Sequence, residues 1–158
     1  MNRHNKTRLF HNNVHPIISS IIPFLKSEKT IISSICSIQN QDFSDFEIIL
    51  IDDFSTDNSY RIILDLQRLD SRIKIIKNKK NMGSLYSRSI GVLMSNGEYI
   101  FGLDNDDMFF SHDIFNFILK YAKNYDFDIV GFRAFQITNY NYNFDKIVDI
   151  IIIVTLKI

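Results

Sequence analysis

The chain has 158 residues, 46% of them hydrophobic and 13% aromatic, with only five glycines and two prolines. That composition excludes a disordered or fibrous protein and is enough for one domain burying roughly two thirds of its unfolded surface. Eighteen basic and 18 acidic side chains leave a formal charge of zero, so no overall field draws in nucleic acid or an anionic membrane.

Residues 1–15 are polar, lack the apolar segment of a secretory signal and read as a flexible N-terminal arm; His4, His11 and His15 follow no period and read as solvated. Ile17 to Ile22 is a β-branched run closed by Pro23, a first strand. From Ser27 to Gln39, Ile31, Ile35 and Ile38 recur at helical spacing, with Ser27 at the N-cap position. The single cysteine, Cys36, cannot close an internal disulfide; it reads as a small core residue and fits a reducing compartment. Glu47 to Ile51 is a second strand running into Asp52 and Asp53. Asp57 or Ser55 caps a helix reaching about Leu69, with Ile62, Leu66 and Leu69 on one face. Ile73 to Lys77 is a third strand, and the basic turn from Lys77 to Gly83 leads to a third helix carrying Leu85, Arg88, Val92 and Leu93. Asn96-Gly97 ends that helix. Tyr99 to Leu103 is a fourth strand, Asp113 to Asn124 a fourth helix burying Ile114, Phe117, Ile118 and Tyr121, and Asp128 to Phe132 a fifth strand. Ile147 to Ile158 is apolar but short of the roughly 20 residues that span a bilayer, so residues 136–158 read as an atypical apolar tail forming a strand or an interaction edge, with no transmembrane segment.

Strands alternating with helices at this spacing specify an α/β fold, a mostly parallel, doubly wound, Rossmann-like sheet with helices on both faces, here over residues 16–135. Ligands of such sheets bind beyond the carboxyl ends of the strands. Pro23-Phe24, Asp52-Asp53, Lys79 to Gly83 and Asp104 to Asp107 all fall there. Side chains two apart on an extended segment share a side, so Asp104 and Asp106 can converge on one cation while Asp107 faces away and caps the next helix. Such a cluster is also a common turn or cap, and by itself it leaves both readings open. A Mg²⁺ or Mn²⁺ ion held by one or two carboxylates takes its remaining ligands from water and phosphate, the arrangement that binds a diphosphate. A carboxylate on a neighbouring strand can accept from a base N–H, and an aromatic such as Phe24 can pack on the base. No Gly-x-x-x-x-Gly-Lys-Ser/Thr loop and no Gly-x-Gly-x-x-Gly after the first strand is present, which excludes a P-loop enzyme and leaves dinucleotide binding unsupported.

Five motifs in order carry a resemblance: Ile21-Ile22-Pro23; Ser37-Ile38-Gln39-Asn40-Gln41; Ile49 to Ser59 with Asp52-Asp53-Phe54-Ser55-Thr56-Asp57; Asn81-Met82-Gly83 with Arg88 and Gly91; and Gly97 to Ile100 leading into Leu103-Asp104-Asn105-Asp106-Asp107. Over about Ile17 to Phe132 the chain resembles the family 2 glycosyltransferases of GT-A fold. The resemblance implies a nucleotide-diphosphate-sugar donor, with a UDP-sugar as the expected one, a Mn²⁺ or Mg²⁺ cofactor bound through a D-x-D element, and transfer to an unknown glycan, lipid or protein acceptor, typically with inversion. By the same resemblance Pro23 and Phe24 would line the base pocket and Asp53 would hold the base. Asn81, Gly83 and Arg88 would sit near the nucleotide and its phosphates, Asn105 would line the donor site, and Asp104 would approach the ribose or the metal. Asp106 would be the main metal ligand.

Two departures stand out. Phe54 occupies a position where the family usually has glycine, which alters a tight turn and reshapes the base pocket. The chain also ends without the acceptor-binding half, and Asp145 and Asp149, the only late acids, fit no pattern for a general base. A truncated donor half, or a module that binds metal and nucleotide sugar without transferring anything, is therefore the alternative to an active enzyme. Phosphoryl transfer is a third reading with less support, because no lysine stands convincingly placed at the end of the fifth strand. Nucleotide sugars and the lack of a signal make the cytoplasm the expected compartment.

Overall fold

The computed structural model describes residues 15–125, 131–138 and 141–153, with side chains described for 15–120 and Ala122. Most of the expected N-terminal arm, residues 128–130 at the start of the expected fifth strand and the last five residues lie outside it. Strands β1 (Ile18–Phe24), β2 (Phe46–Asp52), β3 (Ile73–Lys77) and β4 (Tyr99–Gly102) form one parallel sheet in the order β3-β2-β1-β4. Ile18 stands opposite Phe46 on one side and Tyr99 on the other, and Ile48 opposite Ile73. Four helices accompany it: α1 (Ile31–Gln39), α2 (Ser59–Leu69), α3 (Ser84–Leu93) and α4 (Ile114–Tyr125).

The period of two along each strand divides the apolar residues between two faces. Ile18, Ile22 and Phe24 of β1, Phe46, Ile48 and Leu50 of β2, and Tyr99 and Phe101 of β4 join the buried residues of α1, Ile63 of α2, and Phe115, Ile118, Leu119 and Ala122 of α4 in one large core. Ile21, Ile49, Ile51 and Ile100 face the other way, with Ile76 of β3 and Val92 of α3 packed against them. The topology explains this division. The chain steps from β1 outward to β3 with α1 and α2 on one face, then returns to β4, and a right-handed crossover in the reverse direction must lay α3 on the opposite face. The winding therefore reverses between β1 and β4.

Several boundaries differ from the sequence reading, each for a local reason. The first helix starts at Ile31, with Thr30 rather than Ser27 at its N-cap, because the Ser27 hydroxyl is turned back to donate to Leu25 O. Asp57 does serve α2, its Oδ1 accepting from Ser59 N at 3.1 Å. Leu69, expected in the buried stripe, is 85% exposed at the last turn of that helix. In α4 the buried aromatic is Phe115 and not Phe117, which is exposed. Two rings two positions apart cannot share a helix face. Phe115 is chosen by its surroundings, with the rings of Phe46, Phe109 and Phe101 at 5.5, 5.7 and 5.9 Å.

No fifth parallel strand exists among the described residues. Phe132 belongs to β5 (Gly131–Thr138), which pairs antiparallel with β6 (Asn141–Ile153) in a separate two-stranded sheet. Only two residues separate these strands, enough to join antiparallel neighbours, whereas a parallel crossover needs a dozen or more. The apolar tail is thus largely strand.

Where β4 begins, a buried polar cluster fixes the turn that follows α3. Ser19 Oγ donates to Glu47 Oε1 at 2.6 Å, Asn96 N donates to the same oxygen at 2.7 Å, and Gly97 N donates to Ser19 Oγ at 2.8 Å. Lys74 Nζ stands 2.5 Å from Glu47 Oε2. Burial pushes the Glu47 carboxyl up, but Lys74, Ser19 and Asn96 outweigh it, and the net shift is downward. Gly97 packs so close that an added Cβ would lie 2.6 Å from Ser19 N and 2.8 Å from Ile18 C. Because both obstacles are backbone, Gly97→Ala is expected to destabilise the fold by about 2–4 kcal/mol, read as a lower urea midpoint with an unchanged slope.

Candidate functional site

The carboxyl edge of the sheet is built around Asp53, one residue past β2 and only 4% exposed. Its backbone N–H donates to Phe24 O at 2.9 Å, tying the ends of β2 and β1 together. Its carboxylate accepts from Asn78 Nδ2 and Met82 N on Oδ1 and from Gly83 N on Oδ2, all at 2.8 Å. Asn78 Nδ2 also donates to Ser87 Oγ at 2.9 Å. A carboxylate has about four lone-pair positions; these three bonds fill most of them, and the Ser87 hydroxyl is a further donor to the group. Burial pushes the Asp53 carboxyl up, but the N–H groups of Met82, Asn78 and Gly83 and the Ser87 hydroxyl together outweigh it and leave it below its ordinary value. Gly83 takes φ of 85° where α3 begins, and a Cβ there would meet nothing within 4 Å. Glycine is therefore required by the dihedral and not by space. Asn81 Oδ1 also accepts from Gly83 N, at 3.1 Å, which shapes the same turn.

The acidic loop follows β4. Leu103 is buried, and its N–H donates to Ile21 O at 3.1 Å, so the ladder with β1 runs one residue past the strand. Asp104 and Asp106 are both exposed. Asn105 between them turns inward: its Nδ2 donates to Ser27 Oγ at 2.7 Å, and its carbonyl accepts from Ser34 Oγ at 2.9 Å. Asn105, expected at the donor, thus anchors the loop to the segment after β1. Asp107 N donates to Asp104 O at 3.1 Å, closing a turn. Burial, and then the charges of Asp104 and Asp106, push the Asp107 carboxyl up. Asp107 does not cap α4, which begins seven residues later at Ile114. One cation already answers this negative charge: the Arg88 guanidinium of α3 pairs with Asp104.

These two centres lie on one rim. β2 and β4 flank β1, so their ends are about 10 Å apart, two strand spacings. Helix α3 bridges them, with Gly83 at its start and Arg88 on its second turn, about 7.5 Å further along the axis. Asp53, Asn81 and Gly83 are brought together at one end of the bridge, and Asp104 and Arg88 at the other.

Pro23 and Phe24, expected to line the base pocket, leave little side-chain surface at the rim. Both are buried, and the Phe24 ring packs in the main core, 2% exposed. The exits of β1 and β2 present Leu25 and Phe54 instead, 37% and 46% exposed. Both exits carry a non-glycine residue at positive φ, Lys26 at 52° and Phe54 at 74°, a conformation costing about 1–2 kcal/mol each. Lys26 N donates to Ser55 Oγ at 3.0 Å and Ser55 N to Asp52 Oδ1 at 2.7 Å, so hydrogen bonds hold the two exits in register. Strand parity was the missed signal: with Ile22 and Phe24 facing the core, the next residue that leaves it is Leu25.

Among the described residues, no three His, Cys, Asp or Glu gather tightly enough to hold a metal by themselves. Two exposed carboxylates are nevertheless a hard oxygen donor pair, and the Arg88 guanidinium on one of them is a stand-in for a cation. The pair fits Mg²⁺ or Mn²⁺ with the remaining ligands supplied by water and phosphate. Among the described residues, no helix is long and apolar enough to cross a membrane.

The sequence model of the family described as "Glycosyl transferase family 2" matches residues 19–155. An uncharacterized glycosyltransferase of Haemophilus influenzae is 41% identical over 93 residues, 59% of this chain and 29% of that protein. The crystal structure of S. aureus TarS 1-349 in complex with UDP-GlcNAc is similar with a TM-score of 0.64 and 26% identity, over 71% of this chain and 32% of that one. The mannosyltransferase PcManGT from Pyrobaculum calidifontis, in complex with GDP-Man and Mn²⁺, has a TM-score of 0.68 over 73% of this chain and 34% of that one; at 16% identity it bears on the fold alone. The chain spans about a third of the length of each of these proteins.

Asp53→Asn tests the anchor. The substitution keeps the shape but sets an amide N–H₂ against backbone donors, and is expected to cost about 2–3 kcal/mol in urea unfolding. The depressed folded value means that the wild-type contribution is complete above the unfolded carboxyl value of 3.8. It is lost as pH falls through the lower folded value, so the wild-type protein is expected to lose stability on acidification more steeply than the variant.

Proposed function

This chain belongs to glycosyl transferase family 2, and on that premise we propose that it is the donor-binding part of an enzyme that transfers a sugar from a nucleotide-diphosphate-sugar, a UDP-sugar first, to an acceptor hydroxyl. One observation carries the proposal: Asp53 and the Asp104/Asp106 pair, far apart along the chain, end neighbouring parts of one sheet edge and are joined by α3 through Gly83 and Arg88. The UDP-GlcNAc bound by the similar TarS supports the donor class.

In this reading the base lies at the Asp53 end and the diphosphate at the Asp104 end. The Asp53 carboxylate accepts from a base N–H that takes the place of the Ser87 hydroxyl, while its bonds to Asn78, Met82 and Gly83 keep the loop at 78–83 from closing over the site. The free N–H groups at the start of α3 and the side chain of Asn81 face the phosphates, where a helix N-terminus favours negative charge. Asp104 and Asp106 would hold the divalent ion, which when bound would neutralise the charge of the diphosphate leaving group. Released from Asp104, the Arg88 guanidinium would be free to pair with a phosphate oxygen, for which its fork geometry is suited. Asp145 and Asp149 lie on β6 and take no part in this reading, which assigns no general base.

Asp106→Ala is expected to weaken Mn²⁺-dependent binding of UDP at least tenfold in calorimetry while leaving thermal unfolding unchanged. Binding equal to wild type overturns the proposed metal site. Incubation with UDP-sugar, Mn²⁺ and candidate acceptors separates an enzyme from a non-catalytic module, since only the former releases UDP with product.

Arg88→Gln separates the two tasks of the guanidinium. It is expected to weaken UDP binding in the presence of Mn²⁺ about tenfold, about 1.4 kcal/mol. Binding of Mn²⁺ alone should be equal or tighter, because a competing cation has been removed from Asp104.

A further inference from the structure

We infer that the Phe54 ring is the platform on which the nucleobase of the donor lies, and that Leu25 and Met82 complete an apolar collar around the Asp53 carboxylate. The inference rests on the nucleotide-sugar reading given above and adds to it a residue standing where the family usually has glycine. Three observations point the same way. Phe54 holds φ of 74°, a conformation that a bulky side chain adopts only when its surroundings impose it. Here they do: Asp53 N is bound to Phe24 O before it, and Ser55 is bound to Asp52 Oδ1 and to Lys26 N after it.

That strained geometry leaves the ring 46% exposed, although the two residues before it, Asp52 and Asp53, are 0% and 4% exposed. A large apolar ring is held out of the core at a position where glycine would relieve the backbone. Leu25 and Met82 are 37% and 39% exposed, and the backbone at both is tied to Asp53. Leu25 follows Phe24, whose carbonyl receives Asp53 N, and Met82 N donates to Asp53 Oδ1. Three exposed apolar residues, Leu25, Phe54 and Met82, are thus tied through the backbone to one buried carboxylate.

The chemistry that matches this arrangement is a flat ring with apolar faces and an N–H edge. The faces stack on Phe54 and pack against Leu25 and Met82, and the edge donates to Asp53. An inorganic phosphate, with no apolar face, would gain nothing from the collar.

The test compares Phe54→Gly, Phe54→Tyr and wild type, using UDP, GDP and inorganic pyrophosphate as probes, each with Mn²⁺, in calorimetry. Phe54→Gly suits the positive φ and is expected to melt at or above the wild-type temperature. It should bind the better nucleoside diphosphate at least tenfold more weakly and pyrophosphate as well as wild type does. Phe54→Tyr should bind both as wild type does. Unchanged nucleoside diphosphate binding by Phe54→Gly, or an equal loss for pyrophosphate, overturns the platform while leaving the donor reading intact. A wild-type protein that binds none of the three probes overturns the donor reading itself, and the platform with it.

Discussion

The carboxylate of Asp53 receives the backbone N–H groups of Met82 and Gly83 and the side chain of Asn78, and this convergence fixes where the chain turns back from β3 across the sheet. The return could begin at many points along a basic, polar loop with no apolar face to bury. Hydrogen bonds to a buried anion choose one, because each donor left unpaired there would carry its full desolvation cost. The start of α3 then follows from Gly83, and the position of Arg88 follows from the helix. Everything proposed for the rim inherits its geometry from that one buried group.

A second anchor works on the acid loop from the other side. Asn105 is held by Ser27 and Ser34, so the residue between Asp104 and Asp106 is committed inward and the two acids outward. The arrangement concentrates negative charge, as the raised Asp107 carboxyl reports, and Arg88 offsets part of it. Pairs of opposite charge at half-exposed positions contribute little to stability. The Arg88–Asp104 pair is accordingly better understood as an exchangeable contact than as a support of the fold. The supports lie at the far end of the sheet, where Ser19, Glu47, Lys74 and the backbone at Asn96 and Gly97 close a buried network.

Strain and exposure coincide at the same rim. Lys26 and Phe54, the two non-glycine residues at positive φ among those described, follow β1 and β2, next to the point where the winding reverses. Rigid strands below and hydrogen bonds alongside allow these loops to hold conformations that an isolated turn would abandon.

The sequence by itself determined the order of strands and helices, the α/β class and the two acidic strand ends. These are periodic or local signals: β-branched runs, apolar residues three and four apart, carboxylates directly after a strand. Its resemblance to the glycosyltransferases named the same residues from motif order. Which of two nearby rings enters the core was decided by tertiary structure, since Phe115 and Phe117 are equivalent in composition and only the rings of Phe46, Phe101 and Phe109 distinguish them. The same holds for Phe24, drawn into the core by strand parity and replaced at the rim by Leu25 and Phe54, and for Asn105, which a serine 78 residues earlier in the chain turns inward. Periodicity reports which face a residue is on, but a side chain's partner is set by whatever the fold brings opposite it, and that information is nowhere local.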